Sequence, residues 1–542
     1  MSARDGLVVL ACLAFANCSP AGQTDDARGE PGSGATVQAS WHGDPSTARI
    51  SEALPPPDQR LVEALRAFIP HVLRRHDTPG LNLAIARHGQ VIYEEGFGLA
   101  DVSTGERMSP ATTTHSGSMG KTYTGTAVMQ LVESGLVDLD RPVNEYLGGF
   151  RIENPFGGQV TTRHLLTHRS GLSGNGAFSM FETPPPLREH VPAAYARESF
   201  PPYAGVVPLW GGPPGETFRY SNLGLATLGY LVEVANPEGL SFSDYVQEHI
   251  LDPLDMVDTQ YPPVQDREHV RPDLFDRMSV GYARFGGLLI PTPTIYFADF
   301  PAGTVVTTPG SHIRLLLAYM GGGGLDGGRI LDEETVQWML TPQFDDGLPD
   351  SDQGLIWRLS NWGERSASFG HGGAHMWGWT NHFEAFPELD LAIAISMNRW
   401  DIPGDAGGAR YAEARAIIEF VRSWVMDERV DDPRTPAARS WAWKYSYVAG
   451  LALTERILGA LGVGSPITEE MVERMVDGTR VNATADASLL WDPDGFRTGV
   501  SDMSAVEPTI PAITAFYASA DIKVGPEEMA LIYADMGGEP PW

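Results

Sequence analysis

Ser118 and Lys121 are the residues in this chain best placed to do chemistry together. Lys121, Lys444 and Lys523 are the only lysines among 38 basic residues, and the rest are arginine. A chain that prefers arginine so strongly keeps lysine where arginine cannot serve. Arginine stays protonated in proteins, whereas a desolvated lysine amine can lose its proton and act as a base. Trp441 and Ala520 stand three residues before the other two lysines, so Ser-x-x-Lys occurs once. On a helix, that offset puts both side chains on one face, about one turn apart. A serine at the helix start also gains from the positive end of the dipole, which favours a developing alkoxide. A plain N-cap serine followed by an exposed lysine has the same spelling. The scarcity of lysine weighs towards chemistry.

A second group is Tyr220-Ser221-Asn222. A phenol beside a lysine can shuttle the serine proton, and an asparagine two residues on can bond both the amine and a substrate amide. A buried core tyrosine is the plain alternative. The third group is His371-Gly372-Gly373, followed by Ala374. Glycines there would let a substrate backbone lie along a strand edge, with a free N–H turned to an oxyanion. The plain alternative is a glycine-rich turn with a solvated histidine. His371, His375 and His382 are also close enough in sequence to raise a metal site, but no carboxylate accompanies them in a ligand spacing, so none is expected.

Taken as a set, Ser118-x-x-Lys121, Tyr220-x-Asn222 and His371-x-Gly373 resemble, in order and rough spacing, the penicillin-recognising serine hydrolases. That superfamily includes class C β-lactamases, D-alanyl-D-alanine carboxypeptidases, D-aminopeptidases and family VIII esterases. Supporting stretches are His164 to Leu172, Pro253 to Met256, Gly321 to Leu331, and Phe386-Pro387 with the strand ending at Asn398. The resemblance covers about residues 56 to 430. It implies that Ser118 is acylated, that Lys121 and Tyr220 share the acid and base duties, and that Asn222 orients the amine and the substrate. It also implies an oxyanion hole formed by the N–H groups of Ser118 and Ala374. Water releases the acyl group, so no cofactor is expected.

One departure matters: relatives that hydrolyse β-lactams typically have Lys-Thr-Gly where this chain has His-Gly-Gly. A mostly neutral imidazole should bind a β-lactam carboxylate weakly, so robust β-lactamase activity is not expected. The expected activity is peptidase or amidase action on short peptides, with esterase activity on activated esters. Relatives of this type include hydrolases that trim linear peptides such as linearised microcystin. A family VIII-type carboxylesterase and a non-catalytic penicillin- or peptide-binding sensor are the alternatives. Ser116-Gly117-Ser118-Met119-Gly120 nearly spells the nucleophile elbow of an α/β-hydrolase, but that fold gives Lys121, Tyr220 and His371 no role.

These groups need elements to hold them. Leu61, Val62, Leu65, Phe68, Ile69, Val72 and Leu73 recur at helical spacing, in a first helix that Pro70 is expected to kink. Strands are expected over 81–87 and 91–99, joined at His88-Gly89, and again over 367–373, 377–385 and 391–398. A helix should run from Ser118 to about Glu133 and end at Gly135, and another from Ala412 to about Arg429. Two early and three late strands around a mostly helical stretch predict an α+β fold. Its antiparallel sheet would be flanked by helices and carry an all-helical insertion over about 136–340.

The expected domains are a leader over 1–18, a flexible linker over 19–58, the hydrolase domain over 59–430 and a C-terminal appendage over 431–542. The appendage contains apolar-periodic stretches at Tyr445 to Leu461 and Thr468 to Val476. Cys12 and Cys18 are the only cysteines, so the folded body has neither a disulfide nor a thiolate zinc site. The short apolar run from Leu7 to Ala14, with Ala14-Phe15-Ala16 after it, resembles an export signal. Cys18 is a candidate lipid-attachment site, which implies a periplasmic, secreted or lipid-anchored protein. No segment is apolar for long enough to span a membrane. The net charge of −31 argues against nucleic acid as a partner. A small molecule or short peptide is the expected substrate.

Overall fold

A computed structural model of the chain describes residues 41–427, apart from 42, 52–53, 174–177, 180–182, 197–208, 286–287, 294, 345–352, 362–365, 376–377 and 402–410, together with residue 497. The expected leader, most of the linker and the two apolar stretches after 431 lie outside the described residues.

The frame is an eight-stranded sheet. Its strands are β1 (Arg49–Ile50), β2 (Gly80–Arg87), β3 (Gln90–Asp101), β4 (Glu106–Arg107), β5 (Arg358–Asn361), β6 (Ala367–His375), β7 (Trp379–Phe386) and β8 (Leu391–Met397). The order is β1-β3-β2-β8-β7-β6-β5, with β4 also on β3, and every pairing is antiparallel. This differs from the mostly parallel, doubly wound sheet that a nucleophile elbow would accompany. The β2–β3 hairpin turns at His88 and Gly89, both at positive φ, as a two-residue turn requires.

The pleat sorts the central strands. Leu81, Leu83, Ile85, Ile393 and Ile395 face one side, where helices α1 (Pro56–Arg75) and α5 (Ala412–Asp427) cover them. Phe68 and Phe420 from these two helices stack at 4.5 Å. Ala84, Ala86, Ala392 and Ala394 face the other side. Small side chains there let helices α2 (Gly120–Glu133), α3 (Asn222–Ala235) and α4 (Pro309–Met320) build a second core, with α4 lying directly on β2 and β8. α1 runs through Pro70 as one element.

Helix α2 is buried almost all round, which explains why its apolar stripe is broad. It ends in a Schellman motif: Gly135, at φ 71°, donates to Val132 O and Leu136 donates to Leu131 O. Besides helices, the stretch between the two sheet segments contains short ribbons such as Tyr282–Phe285 with Leu288–Pro291, and Phe178–Ser179 with Tyr296–Phe297. Ribbons of two to four residues are too short to give a readable alternation.

Candidate active site

Ser118 lies in a single 3₁₀ turn, Gly117–Met119, which leads directly into α2. The turn presses against the C-terminal end of β6, and two glycines make this approach possible. A Cβ on Gly117, at φ 59°, would come within 2.6–2.8 Å of the Ala374 backbone. A Cβ on Gly373 would lie 1.9 Å from the carbonyl oxygen of Ser116. Strand β5 pairs only with Ala367–Gly370. Beyond it, among the described residues, the His371–His375 edge of β6 has no neighbouring strand on that side.

Lys121 is 0 % exposed. Its Nζ lies 3.0 Å from Ser118 Oγ and donates to the Ala302 carbonyl at 2.6 Å. Burial brings the amine down from 10.5 to about 7, working against the upward pull of the Asp299 carboxylate. An ordinary lysine at neutral pH is almost wholly protonated; this one is a mixture of ammonium and free amine.

Tyr220 lies with its ring centroid 4.8 Å from Lys121 Nζ and is 37 % exposed. It is placed by His168, a residue that sequence reasoning assigned no task. His168 adopts φ 56°, accepts the Ser221 N–H at Nδ1 (3.2 Å), accepts the Arg219 N–H at its carbonyl (2.6 Å) and packs its ring 4.4 Å from that of Tyr220. Burial, followed by the charge of Lys121, holds its imidazole well below the usual histidine range, so it stays neutral. His168 falls within the His164–Leu172 stretch that supported the family resemblance, but nothing in its type or spacing announced a role.

Ser221 caps α3 by accepting from Gly224 N, which makes Asn222 the first residue of the helix. The Asn222 Oδ1 atom is buried and, among the described residues, receives no hydrogen bond. In the low-dielectric interior an unfilled acceptor is costly, which makes it a ready seat for a donor.

His371 is half-buried on β6, with Nδ1 2.6 Å from the Gly372 carbonyl oxygen. That oxygen can only accept, so Nδ1 carries the proton and Nε2 keeps its lone pair. Burial, then the charge of Lys121, lowers this imidazole to about 3. The third motif therefore presents an acceptor instead of a cation. The three histidines weighed as metal ligands have separate partners. His375 pairs with Gln265 and stacks on His115, while His382 bonds Glu384. Among the described residues the ligand atoms that cluster closely belong instead to Glu238, Glu248 and His249.

The structure thus brings Ser118, Lys121, Tyr220 and His371 together and sets Gly373 and Ala374 against the serine turn. The residues that sequence reasoning missed are His168, Ala302 and Asp299. Ala302 acts through its carbonyl, which no side-chain pattern can announce.

The sequence profile of the family described as Beta-lactamase matches residues 59–417. Among curated proteins, the chain is 26 % identical over 252 residues to Protein flp of Staphylococcus aureus strain MW2, covering 45 % of this chain and 46 % of that protein. It is 26 % identical over 266 residues to the putative penicillin-binding protein PbpX of Bacillus subtilis strain 168, covering 48 % and 58 %. The chain spans about half the length of these relatives. Among solved structures, the D-amino acid amidase of Ochrobactrum anthropi SV3 shares the fold with a TM-score of 0.53, 22 % identity and coverage of 68 % and 99 %. The octameric penicillin-binding protein homologue of Pyrococcus abyssi does so with a TM-score of 0.52, 23 % identity and coverage of 67 % and 77 %. The matched residues make up more than half of the chain and include all three motifs, so this chain belongs to the β-lactamase family.

Proposed function

We propose that the chain is a serine hydrolase that opens amide bonds of short peptides or amino-acid amides through an acyl-enzyme on Ser118. The observation that carries this reading is the fully buried Lys121 amine, 3.0 Å from Ser118 Oγ. As free amine, Lys121 takes the serine proton while Oγ bonds to the substrate carbonyl carbon. The carbonyl electrons move to oxygen, where the N–H groups of Ser118 and Ala374 receive the charge. Collapse breaks the C–N bond, and the departing nitrogen takes a proton passed on by Lys121 and Tyr220. Water then enters by the reverse sequence and frees the acid.

The acceptors in the site support this choice of substrate class. His371 Nε2 and Asn222 Oδ1 both offer lone pairs, and neither offers a cation. Such a site suits amide N–H groups or a free amine, and disfavours the carboxylate that a β-lactam presents. The fold relative from Ochrobactrum anthropi is named as a D-amino acid amidase, which agrees with this choice. Activated esters need no leaving-group proton and should react at the same serine.

The test is incubation of the purified full chain with D- and L-amino-acid p-nitroanilides, linear peptides, p-nitrophenyl acetate and butyrate, and nitrocefin, with Ser118→Ala as control. Serine-dependent amide cleavage is the expected result. Ester turnover alone would make the protein a carboxylesterase, and stable labelling without product release would make it a sensor.

A further inference from the structure

Beside Lys121 lies a buried pair that the acyl-transfer scheme does not use. His190, on the helix Leu187–Ala196, is 0 % exposed and Asp299 is 3 % exposed. His190 Nε2 lies 2.7 Å from Asp299 Oδ1. A carboxylate can only accept, so Nε2 carries the proton. The other ring nitrogen, Nδ1, is buried and has no partner among the described residues. Burying an imidazole with half its polar capacity unmet is unfavourable, and an apolar side chain would fill the space better. What the histidine contributes is its bond to Asp299.

Asp299 opens the 3₁₀ turn Phe300–Ala302, and its own carbonyl accepts the Ala302 N–H at 2.8 Å. Two carbonyls of this turn reach α2. Ala302 O receives Lys121 Nζ at 2.6 Å, and Pro301 O receives Thr124 Oγ1 at 2.6 Å. Tyr261 OH donates to the same Pro301 oxygen at 2.6 Å. The turn is therefore fastened to the helix that carries the base, and its first residue is held by His190. The groups facing the amine are the Ser118 hydroxyl, the ring of Tyr220, the neutral imidazoles of His168 and His371, and the Asp299 carboxylate. Of these, the carboxylate alone is charged.

We propose that Asp299, anchored by His190, is a positioning residue for Lys121, holding the Ala302 carbonyl against the amine and setting the pH at which Ser118 becomes reactive. The inference rests on the acyl-transfer reading above. Removing the carboxylate charge while keeping its shape makes the ammonium less favourable, so the amine is free at lower pH.

The experiment follows labelling of Ser118 by a fluorophosphonate across pH, read by intact mass on the full chain. In that step an Oγ–P bond forms, the P–F bond breaks, fluoride leaves with the bonding electrons, and the serine proton passes through Lys121 to water. In Asp299→Asn the rising limb of rate against pH should move down by about one unit. His190→Gln keeps an N–H donor for Asp299 and should retain the wild-type limb. His190→Leu removes the donor and should lower the plateau rate about tenfold as the carbonyl loses its position. A folded Asp299→Asn protein with an unmoved limb overturns the proposal. If that variant does not fold, an unchanged limb and plateau in His190→Leu overturns it instead. Absence of Ser118 labelling in the wild type would defeat the acyl-transfer reading, and this inference with it. Normal labelling with an unmoved limb defeats this inference alone.

Discussion

Replacing Lys121 by methionine should inactivate the protein and make it more stable at neutral pH. Burial holds the folded-state amine near 7, against 10.5 for an exposed lysine. The unfolded chain therefore binds more protons than the folded chain between about pH 7 and 10.5, so stability falls as pH drops through that window and levels off below it. A shift of this size is worth about 4 kcal/mol at pH 7. Methionine is of similar length and has no proton to lose. It leaves the buried Ala302 carbonyl without its donor, at a cost of about 1–3 kcal/mol. The balance favours methionine by about 1–3 kcal/mol near neutrality, or roughly 1–4 °C in Tm for a domain of this size.

As pH rises towards 10.5 the proton cost of the buried amine shrinks, until the lost hydrogen bond outweighs it and the sign reverses. The assay is differential scanning calorimetry of wild type and Lys121→Met at several pH values between about 6 and 10.5, with fluorophosphonate labelling alongside. A difference in Tm independent of pH would refute the claim that the amine is held deprotonated by burial. So would a methionine variant less stable than wild type at pH 7.

Three further outcomes are expected. Fluorophosphonate labelling of the wild type should fall about tenfold per unit below pH 7, reaching about 1 % of its plateau at pH 5; a flat profile over that range would exclude Lys121 as the base. Gly373→Ala places a methyl group 1.9 Å from Ser116 O, so the serine turn must move, and labelling should drop at least about a hundredfold; near-normal labelling would show that the contact does not set the serine geometry. His371→Lys exchanges a neutral acceptor for a cation and should raise the rate of acylation by nitrocefin about tenfold or more; an unchanged rate would show that the carboxylate is not read at this position.

The antiparallel sheet was legible because its long strands are bounded by readable turns. His88-Gly89 supplies two positive φ values in succession, and Pro387 to Asp390 a tight reversal. Helix α2 was legible in its apolar spacing and its glycine stop. Strand β5 was not: Arg358–Asn361 is short and has two polar ends, so it carries no alternation. Lys121 stood out through scarcity, and Tyr220, Asn222 and His371 through their order along the chain. His168, His190, Asp299 and Ala302 were hidden for a different reason. Each acts through a neighbour, by placing a backbone, a ring or a carbonyl, and such tasks select no particular residue type at a fixed offset.

The charge pattern gives the site a preference that no single residue states. The chain carries a net charge of −31, yet the groups facing the amine are neutral apart from Asp299, whose carboxylate is bonded to His190. An anionic substrate would approach against the field of the whole molecule. On arrival it would meet lone pairs on His371 and Asn222. Besides Lys121, the groups felt at His371 include His382 and Arg358, and Arg358 is exposed and therefore largely screened by solvent and salt. Under the proposed function, a substrate with a free amine would gain at both stages, from the long-range field and from the local acceptors. The two properties are coupled, because a full cation at His371 would disfavour the ammonium of Lys121 and move its titration to lower pH. A cation introduced at His371 should therefore show itself twice, in the pH profile of Ser118 labelling and in the substrates that react.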